Sequence, residues 1–271
     1  TQDLLLLAYL AILIAFASAS QDVAIDAYRI EIIENKYQAA MAASYQLGYR
    51  ISALTSGAGA LYLAGFYSWQ TTYQIMSGFM LVGIVTVLII AESPKTEVII
   101  EKAHWFRSSV IEPFFEFFKR NSLWSFVLII YIAIYRVSDL ILGIVANPFY
   151  IDIGFNLNEI ATVTKVFGFA ITIIGAFVGG ISVARYGISK PLILSSILLA
   201  GTNLFFLLLN NAGPDLSVLV LTISADNFAL GFSGSVFIAF LSSLTNRYYT
   251  ASQYALFTFI MFLPGIILIG F

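Results

Sequence analysis

Long runs of apolar residues alternate with short polar segments along most of the chain. Each run is close to the roughly 20 residues that a helix needs to cross the hydrocarbon core of a membrane. The runs are continuous and do not alternate between apolar and polar positions, so they predict helices and not the strands of a barrel. The sequence therefore predicts an all-α, polytopic membrane bundle. The eight predicted spans cover residues 4–28, 38–64, 71–91, 122–148, 157–184, 190–210, 216–243 and 251–271.

The composition indicates that lipid surrounds most of this bundle. Of the 271 residues, 60% are hydrophobic and 10% are charged, whereas a soluble domain has about 25% charged residues. The net charge is −2 and there is no long basic tract, which argues against a nucleic-acid partner. The chain has no cysteine, which excludes disulfides, thiolate metal sites and cysteine nucleophiles. We expect neither a metal nor a cofactor.

The basic residues of the loops predict the orientation of the bundle. The connections after the first, third, fifth and seventh spans carry ten Lys and Arg residues, whereas the connections near 65–70, 149–156 and 211–215 carry none. Positively charged loops remain on the cytoplasmic side of a membrane, so the first span is predicted to run from outside to inside. The ten residues are Arg29, Lys36, Lys95, Lys102, Arg107, Lys119, Arg120, Arg185, Lys190 and Arg247.

One long connection divides the predicted spans into two groups. Residues 92–121 mix charges with apolar clusters, which is typical of short amphipathic helices on a membrane surface. The sequence is therefore divided into 1–91, the connection, and 122–271. Thr1 precedes an apolar run by a few residues and Phe271 lies inside another, so we expect a piece of a longer membrane protein.

Charged residues inside the predicted spans carry the main functional signal. Each costs about 2.5–3.5 kcal/mol at the centre of a membrane helix, so we expect these residues to face the bundle interior or a water-filled cavity. Membrane-buried charge usually marks the route of an ion or a substrate, and salt bridges that only lock helices together are the alternative. The candidates are Asp22, Asp26, Arg50, Arg136, Asp139, Lys165 and Asp226.

Sequence spacing predicts which of these charges pair. Asp22, Asp26 and Arg29 follow at intervals of four and three residues, which places them on one helix face. Arg136 and Asp139 are three residues apart and can pair within one helix. For Arg29, at the end of its span, a structural salt bridge or a charge that reaches back to the membrane boundary is the alternative to a functional role.

Uncharged side chains extend the polar sector around these charges. Gln21 lies about 100° around the helix from Asp22, and Asn227 follows Asp226 on the seventh span. Tyr49 offers an aromatic face and a hydroxyl group to a sugar or peptide, with ordinary packing as the alternative for a tyrosine in a span. Together these residues predict a polar path between helices.

One enzyme-like motif is present. Residues 231–234 read Gly-Phe-Ser-Gly, which resembles the motif of intramembrane serine proteases. That chemistry needs a histidine base on a neighbouring span, and the only histidine, His104, lies in the central connection. We therefore expect that the protein is not an enzyme, that Ser233 is not a nucleophile, and that the glycines serve helix packing.

Several segments together resemble the AmpG-like muropeptide permeases of the major facilitator superfamily. The segment 179–191, GGISVARYGISKP, resembles the superfamily's cytoplasmic loop motif, with Ala184 in place of the expected acid. The resemblance covers nearly the whole chain and implies that its spans match spans four to eleven of twelve. The remaining segments are 18–29 (SASQDVAIDAYR), Leu47–Arg50 (LGYR), 135–155 (YRVSDLILGIVANPFYIDIGF) and 225–258 (ADNFALGFSGSVFIAFLSSLTNRYYTASQYALFT).

The resemblance implies a proton-driven importer of anhydro-muropeptides that works by alternating access in the bacterial inner membrane. Its partners are then the sugar-peptide, protons and lipid, and we expect a monomer. Two alternatives stay open: a related carrier of another substrate such as acetyl-coenzyme A, and a non-transporting sensor or scaffold on the same fold. On this interpretation, Asp22, Asp26, Arg136 and Asp139 carry protons or form buried salt bridges, and Gln21, Tyr49, Arg50, Lys165, Asp226 and Asn227 bind substrate.

Overall fold

A computed structural model of the protein describes residues 2–90, 92 and 106–269. This part of the chain is helical and contains no strand, which confirms the predicted all-α class. His104 lies outside the described residues. The twelve α-helices of the described part are α1 (Gln2–Ile32), α2 (Gln38–Leu54), α3 (Ala60–Phe66), α4 (Trp69–Ile89), α5 (Glu112–Asn121), α6 (Trp124–Tyr135), α7 (Val137–Ile153), α8 (Leu157–Ile160), α9 (Gly168–Tyr186), α10 (Ser189–Ala212), α11 (Leu216–Leu244) and α12 (Thr250–Ile269).

Irregular turns join several of these helices end to end. A π-helical turn at Thr55–Gly59 links α2 to α3, and another at Ala161–Phe167 links α8 to α9. Between α6 and α7 the backbone leaves the helical conformation at Arg136, where φ is −107° and ψ is 4°. Wide helical turns of the π type frequently occur at functional sites, and one of them contains Lys165.

Seven helical rods in the described part are long and apolar enough to cross a membrane. The eighth predicted span, 38–64, is also helical, from Gln38 to Phe66, but it is less apolar than the other seven. The chain is therefore a multi-pass membrane protein, in which the sequence of one helical segment is less apolar than the rest. The seven apolar rods are Leu4–Ile32, Trp69–Ile89, Trp124–Ile153, Asn158–Tyr186, Ser189–Ala212, Leu216–Leu244 and Thr250–Leu268.

Small residues let α9 and α11 pack closely along each other. A Cβ atom added to Gly179 would lie 2.6 Å from the carbonyl oxygen of Phe232. A Cβ atom on Gly231 would collide with the backbone of Thr172. Small side chains of this kind allow helix backbones to approach each other in lipid. The Gly231 motif therefore serves helix packing, as the sequence predicted.

The N-terminal helices α1–α4 meet the C-terminal helices α6–α12 mainly at one end of the bundle. There α1 packs against α12, and α2 packs against α9 and α11. We call this end, which carries the loop residues Lys36, Arg185 and Arg247, the basic end. The buried residues of α1 and α2 concentrate there, whereas the first part of α1 and all of α3 contain no buried residue. The buried residues are Arg29, Ile30, Gln38, Ala39, Ala42 and Ala43.

The amphipathic helix α5 is attached to the connection between α11 and α12. Glu116 on α5 accepts hydrogen bonds from Gln253 Nε2 at 2.6 Å and from Asn246 Nδ2 at 2.9 Å. Phe117 is fully buried, whereas Lys119 is exposed. Helix α5 therefore has one buried side and one exposed side.

Candidate functional site

The break between α6 and α7 carries the ion pair that sequence spacing predicted. Arg136 Nε lies 3.5 Å from Asp139 Oδ2, and the two side chains are 25% and 13% exposed. The pair therefore faces inward, away from bulk lipid. Asp139 Oδ2 is buried and receives no aligned hydrogen bond from the described residues, so this carboxylate retains the capacity to accept a proton or a donor.

Two further charges approach this pair from other helices. Asp226 on α11 is close enough to Asp139 for their charges to interact, and Arg50 on α2 is close enough to Arg136. The site therefore joins a helix of the N-terminal group to two helices of the C-terminal group. Charges of the same sign repel strongly where water is scarce, so the two guanidinium groups destabilise each other in this state.

Asn227, the neighbour of Asp226, is engaged in helix packing. Its Oδ1 accepts a hydrogen bond from Thr172 Oγ1 on α9 at 2.8 Å, and its Nδ2 donates to the carbonyl oxygen of Ile223 at 3.0 Å. Both ends of the amide therefore have protein partners in this state. Because the amide keeps a second N–H and a second oxygen lone pair, its predicted contact with substrate would not require either bond to break.

Gln46 is a candidate that the sequence analysis missed. It lies one helical turn before Arg50 and lines a small cavity between α2 and α9 together with Arg50 and Thr172. Its Nε2 is buried and makes no hydrogen bond within the described residues. A buried donor without a partner costs about 1–3 kcal/mol. The cavity beside Gln46 has a volume of about 10 Å³, so in this state it has room for an acceptor no larger than a water molecule. The signal was its four-residue spacing from Arg50, which places both side chains on one helix face.

A second group of charges lies along α1. Asp22 and Asp26 line a cavity of about 280 Å³ between α1 and α12, which Tyr254 also lines. Asp26 Oδ1 lies 3.4 Å from Arg29 Nη2, and Asp22 is close enough to Asp26 for their charges to interact. These three side chains therefore share one side of α1, as their spacing predicted.

Arg29 lies inside the bundle, between helices. Its side chain is 3% exposed, and its Nη1 donates to Gln38 Oε1 and to Ser242 Oγ, each at 3.3 Å. The guanidinium carbon lies 5.2 Å from the ring centre of Tyr254. Of the alternatives that the sequence left open, the structure favours a buried contact between helices.

Two of the predicted substrate-binding residues, Gln21 and Lys165, have no described contact with Arg50, Arg136, Asp139 or Asp226, whereas Tyr49 is close enough to Arg50 to interact with it. Gln21 is exposed, and Tyr49 is 65% exposed. The Lys165 side chain lies outside the described part of the structure, although its backbone lies in the second π-helical turn. Among the described residues there is no cluster of three or more His, Asp or Glu side chains that could hold a metal ion.

The sequence of the chain is similar to known proteins of one family. The model of the Major Facilitator Superfamily matches residues 1–269. The putative transporter AmpG 4 of Rickettsia conorii (strain ATCC VR-613 / Malish 7) is 36% identical over 255 residues, which are 92% of this chain and 60% of that protein. The anhydromuropeptide permease of Escherichia coli (strain K12) is 32% identical over 252 residues, 92% of this chain and 50% of that protein. The putative transporter AmpG 3 of Rickettsia typhi (strain ATCC VR-144 / Wilmington) is 29% identical over 273 residues, 98% of this chain and 64% of that protein.

The chain thus spans 60% of the length of the Rickettsia conorii protein and half the length of the Escherichia coli permease. These similarities confirm the resemblance to AmpG-like proteins that the motifs indicated. The printed names of these relatives are those of transporters and a permease. The chain belongs to the major facilitator superfamily.

Proposed function

We propose that the protein imports anhydro-muropeptides from the periplasm to the cytoplasm across the bacterial inner membrane, driven by protons. The observation that carries this proposal is the inward-facing Arg136–Asp139 ion pair at the α6–α7 break, with Arg50 on α2 close enough to Arg136 for their charges to interact. These residues belong to helices before and after the central connection. A ligand that binds both arginines would therefore link the two helix groups, which alternating access requires of a substrate site.

The arginines suit the chemistry of a sugar-peptide. The peptide of a muropeptide ends in carboxylates, and a guanidinium group binds a carboxylate through two parallel hydrogen bonds. Gln46 Nε2 adds an uncompensated donor beside Arg50, suited to a carbonyl or hydroxyl oxygen of the ligand. Lys165 is proposed as a third cation for the same ligand.

Proton coupling is assigned to the carboxylates of the predicted spans. Asp139 and Asp226 lie near each other, beside the proposed anion site. Protonation of either one removes a charge whose burial in a membrane is costly, so it changes the relative stability of two conformations. Asp22 and Asp26, along the cavity between α1 and α12, are the second candidate pair. A membrane potential adds about 2.3 kcal/mol per charge per 100 mV.

Acetyl-coenzyme A is the second candidate substrate. Its phosphate groups would bind the same two arginines, since a guanidinium group recognises phosphate and carboxylate with similar geometry. The charges of Arg50 and Arg136 therefore favour an anionic substrate, whereas the shape of the complete site determines which anion binds. A sensor or scaffold on this fold would not require substrate to cross the membrane.

Uptake into proteoliposomes tests the proposal. The purified protein is reconstituted, an acidic exterior is imposed, and uptake of radiolabelled anhydro-muropeptide is measured with and without a protonophore. We expect uptake that the protonophore abolishes and that excess unlabelled acetyl-coenzyme A does not reduce. Competition by acetyl-coenzyme A would support the second candidate, and the absence of flux for every sugar-peptide would contradict muropeptide transport.

A further inference from the structure

Arg29 lies at the basic end of the bundle, where the N-terminal and C-terminal helices touch. Its guanidinium group reaches Ser242 Oγ on α11 at 3.3 Å and lies over the ring of Tyr254 on α12. On its own side it binds Gln38 Oε1 at 3.3 Å and Asp26 Oδ1 at 3.4 Å. One buried positive charge therefore has partners in both helix groups.

Gln38 holds this charge in place. Its Nε2 donates to the carbonyl oxygens of Ile30 at 3.0 Å and of Ile33 at 3.3 Å. The last carbonyl groups of a helix lack partners within the helix, so Gln38 satisfies the end of α1. Its own amide oxygen is then directed at Arg29, and Gln38 is only 1% exposed. The position of the guanidinium group is therefore fixed by the start of α2 as well as by α1.

Other contacts close the same layer of the bundle. Thr250 at the start of α12 donates a hydrogen bond to Glu31. A Cβ atom on Gly180 of α9 would lie 3.1 Å from the carbonyl oxygen of Ala39, so the backbones of α2 and α9 almost touch. Ala43, one turn further along α2, is 1% exposed. The basic end is thus shut by contacts that surround Arg29.

We infer that Arg29 is a latch, that is, a residue whose contacts hold the basic end closed. Its contacts with Ser242 and Tyr254 must break before the site around Arg136 and Asp139 opens toward the basic end. This inference rests on the proposed function, because a protein that does not transport has no need to open. On the proposed orientation, the basic end faces the cytoplasm. The latch is a positioning residue, not a substrate contact.

The chemistry of a buried guanidinium suits a contact that forms and breaks. Removal of a charged group from water is costly, and hydrogen bonds in the protein offset that cost only when their geometry is good. All partners of Arg29 except Asp26 are neutral, and its Nε has no hydrogen bond within the described residues. Water that entered an opened boundary would take the place of Ser242 and Tyr254. The closed and open states can then lie close in free energy, as a population shift requires.

Cysteine labelling tests this latch without a transport assay. The sequence has no cysteine, so a single introduced thiol is the only reactive one. Ala43→Cys places it between α2 and α9 at the basic end, and Thr202→Cys places it on α10, where Thr202 is 6% exposed among C-terminal helices. Each variant is placed in lipid nanodiscs, and the rate of reaction with a maleimide is measured with and without the change Arg29→Ala.

We expect Arg29→Ala to raise the labelling rate at Ala43→Cys about tenfold, the factor that corresponds to one hydrogen bond with a charged group. The rate at Thr202→Cys stays unchanged. An unchanged or lower rate at Ala43→Cys would overturn the latch. If both labelling rates rise, Arg29→Ala has loosened the whole fold, and the two rates are measured again with Arg29→Lys. A higher labelling rate at Ala43→Cys alone then supports the latch. Any other pattern of rates overturns it. The labelling experiment needs no substrate. A negative labelling result therefore contradicts the latch alone, whereas a negative uptake result contradicts muropeptide transport.

Discussion

Arg50 on α2 and Arg136 at the α6–α7 break lie close enough for their positive charges to interact, although 86 residues of sequence separate them. Such an approach is unfavourable in a membrane protein unless water, a counter-charge or a ligand compensates it. Asp139 compensates Arg136 in part through its ion pair, whereas Arg50 has no ion pair within the described residues. This imbalance is the physical basis of the proposed anion site between the helix groups.

Loss of the Arg50 charge should therefore weaken substrate binding. We expect Arg50→Gln to raise the KM for anhydro-muropeptide uptake at least about tenfold, the effect of one hydrogen-bonded charge pair. Arg50→Lys should restore little, because an ammonium group cannot form the paired bonds of a guanidinium group. The control is Arg107→Gln, whose side chain is 73% exposed; an equal effect of both Gln variants would argue against a specific site.

Asp139 should be required for uptake that a proton gradient drives, but not for the exchange of labelled for unlabelled substrate. We expect Asp139→Asn to abolish uptake driven by an acidic exterior while exchange of labelled for unlabelled substrate continues, because exchange requires no net proton movement. The matched control is Asp152→Asn, an exposed position on the same helix. Normal gradient-driven uptake by Asp139→Asn would remove this residue from the coupling mechanism.

Substitution of Gln46 should weaken substrate binding without lowering the stability of the protein. Gln46→Leu removes a buried donor that has no hydrogen bond, so thermal stability in detergent should stay the same or rise. The KM for uptake should increase, because the ligand loses a hydrogen bond. Gln74→Leu on the exposed surface of α4 is the control and should change neither quantity. A fall in melting temperature with Gln46→Leu would show that Gln46 has a structural partner instead.

The contact between α9 and α11 predicts a large difference between two glycine substitutions. A Cβ atom on Gly231 would collide with the backbone of Thr172, whereas a Cβ atom on Gly201 of α10 meets nothing within 4 Å. We expect Gly231→Ala to destabilise the fold by about 1–3 kcal/mol. Gly201→Ala should be neutral or stabilise by roughly 0.5–1 kcal/mol, through the better helix propensity of alanine. Denaturation of the purified variants measures both; equal stabilities would show that the two helices separate easily.

The sequence could predict the features that depend on residues close together along the chain. The spans follow from apolar runs, because the length of a membrane helix is fixed by the bilayer. The Arg136–Asp139 pair follows from a spacing of three residues within one turn. The packing role of Gly231 follows from the small side chains around it, since only small residues allow such a close approach in lipid.

The parts that depend on distant contacts could not be predicted. Arg29 binds Ser242, which lies 213 residues further along the chain, and no local pattern indicates that contact. The break at Arg136 has no nearby glycine or proline to mark it, and the proline of this segment, Pro148, lies inside α7. The close approach of Arg50 to Arg136 likewise appears only when the two helix groups are assembled.

The most direct test of the account is a double-mutant cycle on the two arginines. Uptake of labelled anhydro-muropeptide under an imposed proton gradient is measured for the wild type, Arg50→Gln, Arg136→Gln and the double variant. If both arginines bind one anionic group, each single change removes most of the benefit, and kcat/KM of the double variant is close to that of the weaker single variant. Two independent reductions that multiply in the double variant, or single variants that match the wild type, would contradict a shared anion site between the helix groups.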